Sequence, residues 1–215
     1  MMFKYFVLFT FFLICFDLKA KSIKPILEKE KISKKQLNDI KSILKSHPKE
    51  NVPILFEVMK NQEMSEQSRW LATMLVGKTL GKRSIDYLSK YAVHPEVILR
   101  LASLKSLLSL EAKDRSTVFK NALFDKSLLV RKQALEAIRK LRIDDAGPEL
   151  IKMLVDKKNY FMKNKRLKRS PIIKDIITTI GTLRLKKTKN LLVSMRKKST
   201  YEDLFPTLDL AISRL

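Results

Sequence analysis

The chain has 215 residues, a net charge of +23 at pH 7 and a hydrophobic fraction of 45%. That fraction is enough for a substantial core and excludes general disorder, and the length suits one domain of ordinary size. The four glycines suit helices joined by short turns, and a single cysteine, Cys15, excludes an internal disulfide.

The first twenty residues have the pattern of a secretory signal peptide. Lys4 precedes a run over residues 5–16 that is apolar except for Thr10, and Ala20 supplies a small residue after it. The run is shorter than the about 20 apolar residues that a transmembrane helix needs. We therefore expect residues 1–20 to direct export to the periplasm, with cleavage after Ala20. An uncleaved leader that anchors the chain in the inner membrane is the alternative, because Lys19 opposes translocation.

Residues 21–50 predict a lead-in without clear periodicity and then a capping helix. Ser33 and Gln36 have the spacing of a capping box, in which two side chains satisfy backbone groups at a helix start. An apolar face follows at helical spacing, formed by Leu37, Ile40, Ile43 and Leu44.

Residues 51–215 predict an all-α solenoid of about five antiparallel helical hairpins. In the clearest one, Asp125 lies in the turn, Arg131 begins the second helix, and an apolar stripe follows at Ala134, Ala137, Ile138 and Leu141. The same frame occurs 31 residues upstream at Arg100 and again 31 residues earlier at Arg69, each with a small residue three positions later. Three arginines in one register predict an internal repeat, in which hairpins stack because one alone cannot bury its apolar face.

The Asp125 to Arg131 pattern resembles the HEAT repeat, in its short bacterial form, of the armadillo-like α-solenoid superfamily. The resemblance covers roughly residues 51–215. It implies that the turn aspartate and the helix arginines tie adjacent hairpins together, while the second helices line a concave face. In the preceding turn His94 stands where the aspartate is expected, which predicts that Arg100 lacks its usual anionic partner. The resemblance specifies an architecture and says little about activity.

The fourth hairpin holds about twelve extra residues, because Lys174 takes the place of the helix arginine 43 residues after Arg131. The insertion falls within residues 157–169, which contain seven basic residues and no acid. The candidate anion-binding residues of this segment are Lys157, Lys158, Tyr160, Phe161, Lys163, Lys165, Arg166, Lys168 and Arg169. Basic groups neutralise phosphates, while aromatic rings stack on bases or insert among lipids. The alternative is a solvated loop that only keeps the protein soluble.

The sequence offers no catalytic constellation and no cofactor or metal site. Both histidines, His47 and His94, precede prolines in turns, and the paired acids Asp144 and Asp145 precede a helix, where capping explains them. We expect a non-enzymatic interaction or scaffold protein that binds a protein partner, with an anionic lipid or cell-envelope polymer as a further partner and no small-molecule substrate.

Two other functions are compatible with the resemblance. Some HEAT-like proteins grip nucleic acid on a basic concave face, and certain of these remove bases from DNA. Other short-repeat relatives resemble the lyases that attach bilins to phycobilisome proteins. The predicted export argues against nucleic acid, and no residue pattern here marks a tetrapyrrole site.

Overall fold

The structure is a computed structural model that describes residues 21–163 and 166–215, with the backbone alone for 161–163 and 166–168. The predicted leader therefore lies outside the described residues. The chain divides into two compact units, one ending at Thr79 and the other running from Leu80 to Leu215.

The fold is all-α, as the sequence predicts, with one inserted β-hairpin. The helices of the first unit are α1 (Lys24–Leu27), α2 (Lys34–Ser46), α3 (Pro48–Lys60) and α4 (Glu66–Leu80). Those of the second unit are α5 (Ile85–Tyr91), α6 (Val97–Ser109), α7 (Ser116–Ala122), α8 (Leu128–Lys140), α9 (Gly147–Val155), α10 (Ile172–Leu183), α11 (Lys189–Arg196) and α12 (Phe205–Ile212). The inserted strands are β1 (Tyr160–Lys163) and β2 (Arg166–Arg169).

The predicted capping box begins α2. The Gln36 amide donates to the Ser33 hydroxyl at 3.3 Å, and the Ser33 amide donates to the Gln36 side chain at 2.8 Å. The lead-in differs from the prediction, because it contains α1 and packs on the first unit. The Ile23 amide donates to the buried Asn51 side chain at 2.9 Å, and the Ser68 hydroxyl donates to the Leu27 carbonyl at 2.6 Å. These contacts join residues far apart in the sequence, so periodicity could not reveal them.

In the second unit the even-numbered helices lie side by side in chain order. Helix α6 packs on α8, α8 on α10 and α10 on α12, and each of the four also packs on the helix that precedes it. The predicted stripe explains the close approach, because Ala134, Ala137 and Ile138 are fully buried on α8. At Gly181 of α10, a Cβ atom would lie 2.8 Å from the Cα of Ala211 on α12, so this contact requires glycine.

A residue in the left-handed conformation follows each of four helices. Gly81, Glu111, Arg142 and Arg184 have φ angles of 57°, 53°, 50° and 54° and follow α4, α6, α8 and α10. A residue in the left-handed conformation just after a helix turns the chain back. The backbone amides that follow can then donate hydrogen bonds to the last carbonyl oxygens of the helix. Three of the four are not glycine, so composition could not identify these positions.

The same residues correct the predicted length of the insertion. Glu111 and Arg142 are 31 residues apart, whereas Arg142 and Arg184 are 42 apart, so the fourth hairpin is 11 residues longer than the third. Ile173, which is buried, therefore corresponds to the buried Arg131, and Lys174 is exposed. The prediction that Lys174 replaces the helix arginine is wrong by one residue, because no charged group marks the correct position.

The insertion forms a hairpin instead of the predicted loop. Strands β1 and β2 are antiparallel, with Tyr160 opposite Arg169 and Lys163 opposite Arg166. The Ser170 amide donates to the Asn159 carbonyl at 2.8 Å and closes the open end of the ladder. Strands of four residues are too short for a period of two to stand out in the sequence.

Candidate functional site

Two of the residues that carry the predicted repeat form a buried ion pair between two successive turns of the second unit. Arg100 donates from Nε and Nη2 to the two carboxylate oxygens of Asp125, at 2.7 and 2.9 Å. The prediction that Arg100 lacks an anionic partner is therefore wrong. Its partner comes from the following turn, 25 residues later, and not from the turn that contains His94.

Each of these arginines also binds its own turn. Arg100 donates from Nη1 to the carbonyl oxygens five and six residues before it, at 2.7 and 2.9 Å. Arg131 repeats this arrangement with distances of 3.1 and 2.9 Å. Arg69, in the first unit, donates from Nε to the Met59 carbonyl, ten residues before it, at 3.3 Å. The two later arginines thus share one local geometry at a spacing of 31 residues.

His94 performs part of the role that the aspartates have in the later turns. Its Nδ1 accepts a hydrogen bond from the backbone amide two residues later, at 3.1 Å. Asp125 and Asp156 accept the corresponding bond at 2.7 and 3.0 Å. The three turns therefore have one acceptor geometry, but only the aspartates add a negative charge.

The ion pair changes the ionisation of Asp125. Burial opposes its ionisation, but hydrogen bonds from Arg100 and from the Ser127 amide, together with the guanidinium charge, hold the pKa of this carboxyl below its usual value. The carboxylate is therefore ionised at neutral pH and stabilises the contact between the two turns.

The foot of the insertion is anchored to α9. Asn159 is fully buried, and its side-chain amide donates to the Met153 carbonyl at 2.8 Å. The Tyr160 hydroxyl donates to the Leu154 carbonyl at 2.6 Å. Burial, with a smaller contribution from nearby Tyr201, raises the pKa of Tyr160 to about 12. Its hydroxyl thus stays protonated and able to donate at neutral pH.

Arg169 anchors the second strand at the same end of the ladder, opposite Tyr160. It donates from Nη1 and Nη2 to one carboxylate oxygen of Asp203, at 2.9 and 2.7 Å, and from Nη2 to the Thr200 carbonyl. Its guanidinium also lies 5.0 Å from the centre of the Tyr201 ring. With only 9% of its side chain exposed, Arg169 holds the hairpin in place, although the sequence suggested it as a binding residue.

The first two predicted lysines have different environments. Lys158 contacts the Asp156 carboxylate at 3.2 Å and lies 5.8 Å from the centre of the Phe124 ring. Lys157 is exposed, and within the described part of the chain it has no ion-pair partner. Lys157 is therefore available to an external anion, whereas Lys158 is partly satisfied internally.

The register of the strands assigns the remaining predicted residues to one face of the ladder. Paired residues and residues two apart share a face of a β-ladder. Positions 160 and 169, which anchor the hairpin, belong to one face together with positions 162 and 167. The other face contains the positions of Phe161, Lys163, Arg166 and Lys168. Lys165 lies outside the described residues.

The described residues contain no cluster of three or more His, Cys, Asp or Glu side chains that could hold a metal ion. Over the same residues, none of the helices is both long and apolar enough to cross a membrane. No protein-family model matches the chain, and a search of curated proteins finds no significant relative.

Proposed function

We propose that this chain is a non-enzymatic, HEAT-like interaction protein that attaches reversibly to an anionic cell-envelope surface through the basic hairpin (β1 and β2). Its helical hairpins serve as a scaffold for a protein partner. Removal of residues 1–20 on export to the periplasm belongs to the same proposal.

The observation that carries the proposal is the division of the hairpin into two faces. One face includes Tyr160 and Arg169, which hydrogen-bond to other parts of the protein. The opposite face has the positions of three basic residues and one aromatic residue, and no acid. An anchored hairpin loses less conformational freedom on binding than a free loop would, so more of its electrostatic attraction contributes to affinity.

The expected affinity is modest. A basic residue near an anionic membrane contributes about 1 kcal/mol, so three at one face contribute about 3 kcal/mol, with Lys157 adding a smaller part. That energy alone corresponds to a dissociation constant in about the millimolar range. The hairpin would therefore hold the protein at a surface without fixing it there permanently.

The HEAT-like part of the proposal is supported by the second unit. The arginine geometry at residues 100 and 131 has the period of 31, and the even-numbered helices pack in chain order. A stack of this kind exposes a long row of second helices, which is the surface that such scaffolds use for binding.

The test is binding to vesicles of anionic and of neutral phospholipid at several salt concentrations. The variant Lys163→Gln/Arg166→Gln/Lys168→Gln should bind anionic vesicles about a hundredfold more weakly at low salt. A matched control, Lys186→Gln/Lys187→Gln/Lys197→Gln, removes the same charge from exposed positions elsewhere. At about 0.1 M salt it should lose about threefold or less, because charges farther than about 10 Å from the membrane are then screened. Equal losses in the two variants would show that net charge alone causes binding.

Two further measurements test the alternatives. A DNA duplex that binds more tightly than anionic vesicles, with the same dependence on the hairpin, would overturn the surface proposal in favour of nucleic acid. N-terminal sequencing of the native protein should begin at Lys21, and a retained Met1 would overturn export with cleavage.

A further inference from the structure

A cavity lies at the foot of the basic hairpin, within the second unit. Its volume is about 540 Å³, and it is lined by α9, the start of β1, α11 and the turn that contains Tyr201. This volume falls in the range of about 300–1,000 Å³ that is typical of small-molecule sites. The lining includes four apolar residues from two helices, Leu154 and Val155 on α9 and Leu191 and Met195 on α11. Val155 is 57% exposed, whereas Leu154 and Met195 are buried.

Both aromatic residues that line the cavity are held in place by contacts within the protein. The Tyr160 hydroxyl is bonded to the Leu154 carbonyl, and the Tyr201 ring lies against the Arg169 guanidinium. The walls are therefore formed before any ligand arrives. A preformed wall reduces the ordering cost of binding.

The charged residues of the cavity have a single sign. Lys157 and Lys198 line it, both are exposed, and no acidic residue lines it. Of the acids near the lining residues in the chain, Asp156 contacts Lys158 and Asp203 contacts Arg169. Glu202 is exposed and does not line the cavity. Neither Lys157 nor Lys198 has an ion-pair partner among the described residues. The cavity thus combines an apolar lining with uncompensated positive charge.

We propose that this cavity binds a free single-chain carboxylate amphiphile. The chain would pack on Val155 and Leu191, which are the accessible apolar residues of the lining. The carboxylate would bind Lys157 and Lys198. A purely polar anion would leave the apolar lining unused, a neutral chain would not use the lysines, and a cationic amphiphile would be repelled. This inference goes beyond surface attachment by the hairpin and does not depend on it.

The probe is octanoate, titrated by calorimetry and by amide chemical shifts of the full chain. Two control ligands separate the parts of octanoate. Octanol has the alkyl chain without the carboxylate, and acetate has the carboxylate without the chain. Octanoate should bind at concentrations below about 1 mM, with the largest shifts at α11. The variant Lys157→Gln/Lys198→Gln should weaken octanoate binding about tenfold and leave octanol binding unchanged.

Two other variants complete the test. Lys186→Gln/Lys197→Gln removes the same charge outside the cavity and should leave octanoate binding within about twofold of wild type. Ser194→Trp, at an exposed position in the lining, should fill the space and abolish binding of both octanoate and octanol. Each variant is accepted only if its circular dichroism spectrum and Tm match those of the wild type.

Four results would overturn the proposal. The first is that octanoate does not bind at about 10 mM in low salt, and the second is that acetate binds as tightly as octanoate. The third is an unchanged affinity for octanoate in Ser194→Trp, and the fourth is displacement of octanoate by anionic vesicles. The last would assign the cavity to a membrane lipid. Loss of vesicle binding with octanoate binding intact would refute the hairpin function alone, so the two proposals fail separately.

Discussion

Replacing Asp125 by Asn tests whether the two turns of the second unit are held together by their ion pair. The change keeps the shape of the side chain and its ability to accept the Ser127 amide. It removes the charge that neutralises Arg100 and one of the acceptors for its guanidinium. The helices of the wild type should persist, but the free energy of unfolding should fall.

The size of the effect follows from burial. Only 5% of the Arg100 side chain and 12% of the Asp125 side chain are exposed. Breaking a buried ion pair by removing one partner costs about 3–5 kcal/mol, because the remaining charge has lost its water. Arg100 retains hydrogen bonds to two backbone carbonyls, so we expect a loss of about 2–3 kcal/mol.

The assay is urea unfolding at pH 7, followed by circular dichroism. The matched control is Asp86→Asn, which breaks an ion pair with Arg115 at 2.6 Å whose side chains are 80% and 39% exposed. An exposed pair contributes little, so this variant should lose about 0.5 kcal/mol or less. If Asp125→Asn lost no more than the control, the ion pair would not stabilise the contact between the turns.

The same pair predicts a pH dependence. The pKa of Asp125 is below its usual value in the folded protein, so the carboxylate contributes stability that is fully present above its unfolded pKa of about 3.9. The contribution is lost as pH falls through the folded pKa. The difference between the wild type and Asp125→Asn should therefore be constant from about pH 7 to pH 5 and shrink below about pH 4. A difference that stays constant to the lowest pH at which the wild type folds would contradict this.

Two backbone features give the remaining predictions. Gly181→Ala should destabilise by about 1–2 kcal/mol, because a Cβ atom there would meet Ala211 at 2.8 Å, which outweighs the gain in helix propensity. Gly147→Ala, whose nearest contact is 3.8 Å, should be nearly neutral, and equal losses would refute the close approach. Arg142→Gly should stabilise by about 1 kcal/mol and raise Tm by about 2–4 °C, because it relieves a left-handed φ of 50°. Gly81→Ala, at φ 57° in open space, should destabilise by about as much, and a neutral result would contradict the strain argument.

The sequence predicts the fold class because helical spacing is a local property. The stripe on α8 and the capping box at Ser33 each depend on residues within two or three turns of one helix. Short-range hydrogen bonds and the burial of one helix face determine these features. The spacing of 31 residues between Arg100 and Arg131, which bind their own turns in the same way, can also be recognised in the sequence.

The sequence located the candidate site, but it could not show which of its residues anchor the hairpin and which are free to bind a partner. Residues 157–169 are recognisable in the sequence because they contain seven basic residues and no acid. The sequence alone cannot distinguish the roles of Arg169 and Lys157, because both are basic residues of the same segment. In the structure, Arg169 binds Asp203, 34 residues later, while Lys157 is exposed. The cavity at the hairpin foot depends on α9 and α11 together, so no single segment indicates it.

By itself, the sequence determined the all-α class, the longer helices and the position of a basic insertion, since these depend on neighbouring residues. Only the tertiary structure decided which groups meet. Asp125 stabilises Arg100 in the preceding turn, Arg169 anchors a hairpin, and left-handed residues other than glycine end three of the helices. These partners are set by packing between segments that are distant along the chain, where electrostatic and steric terms depend on position in space and not on order in the sequence.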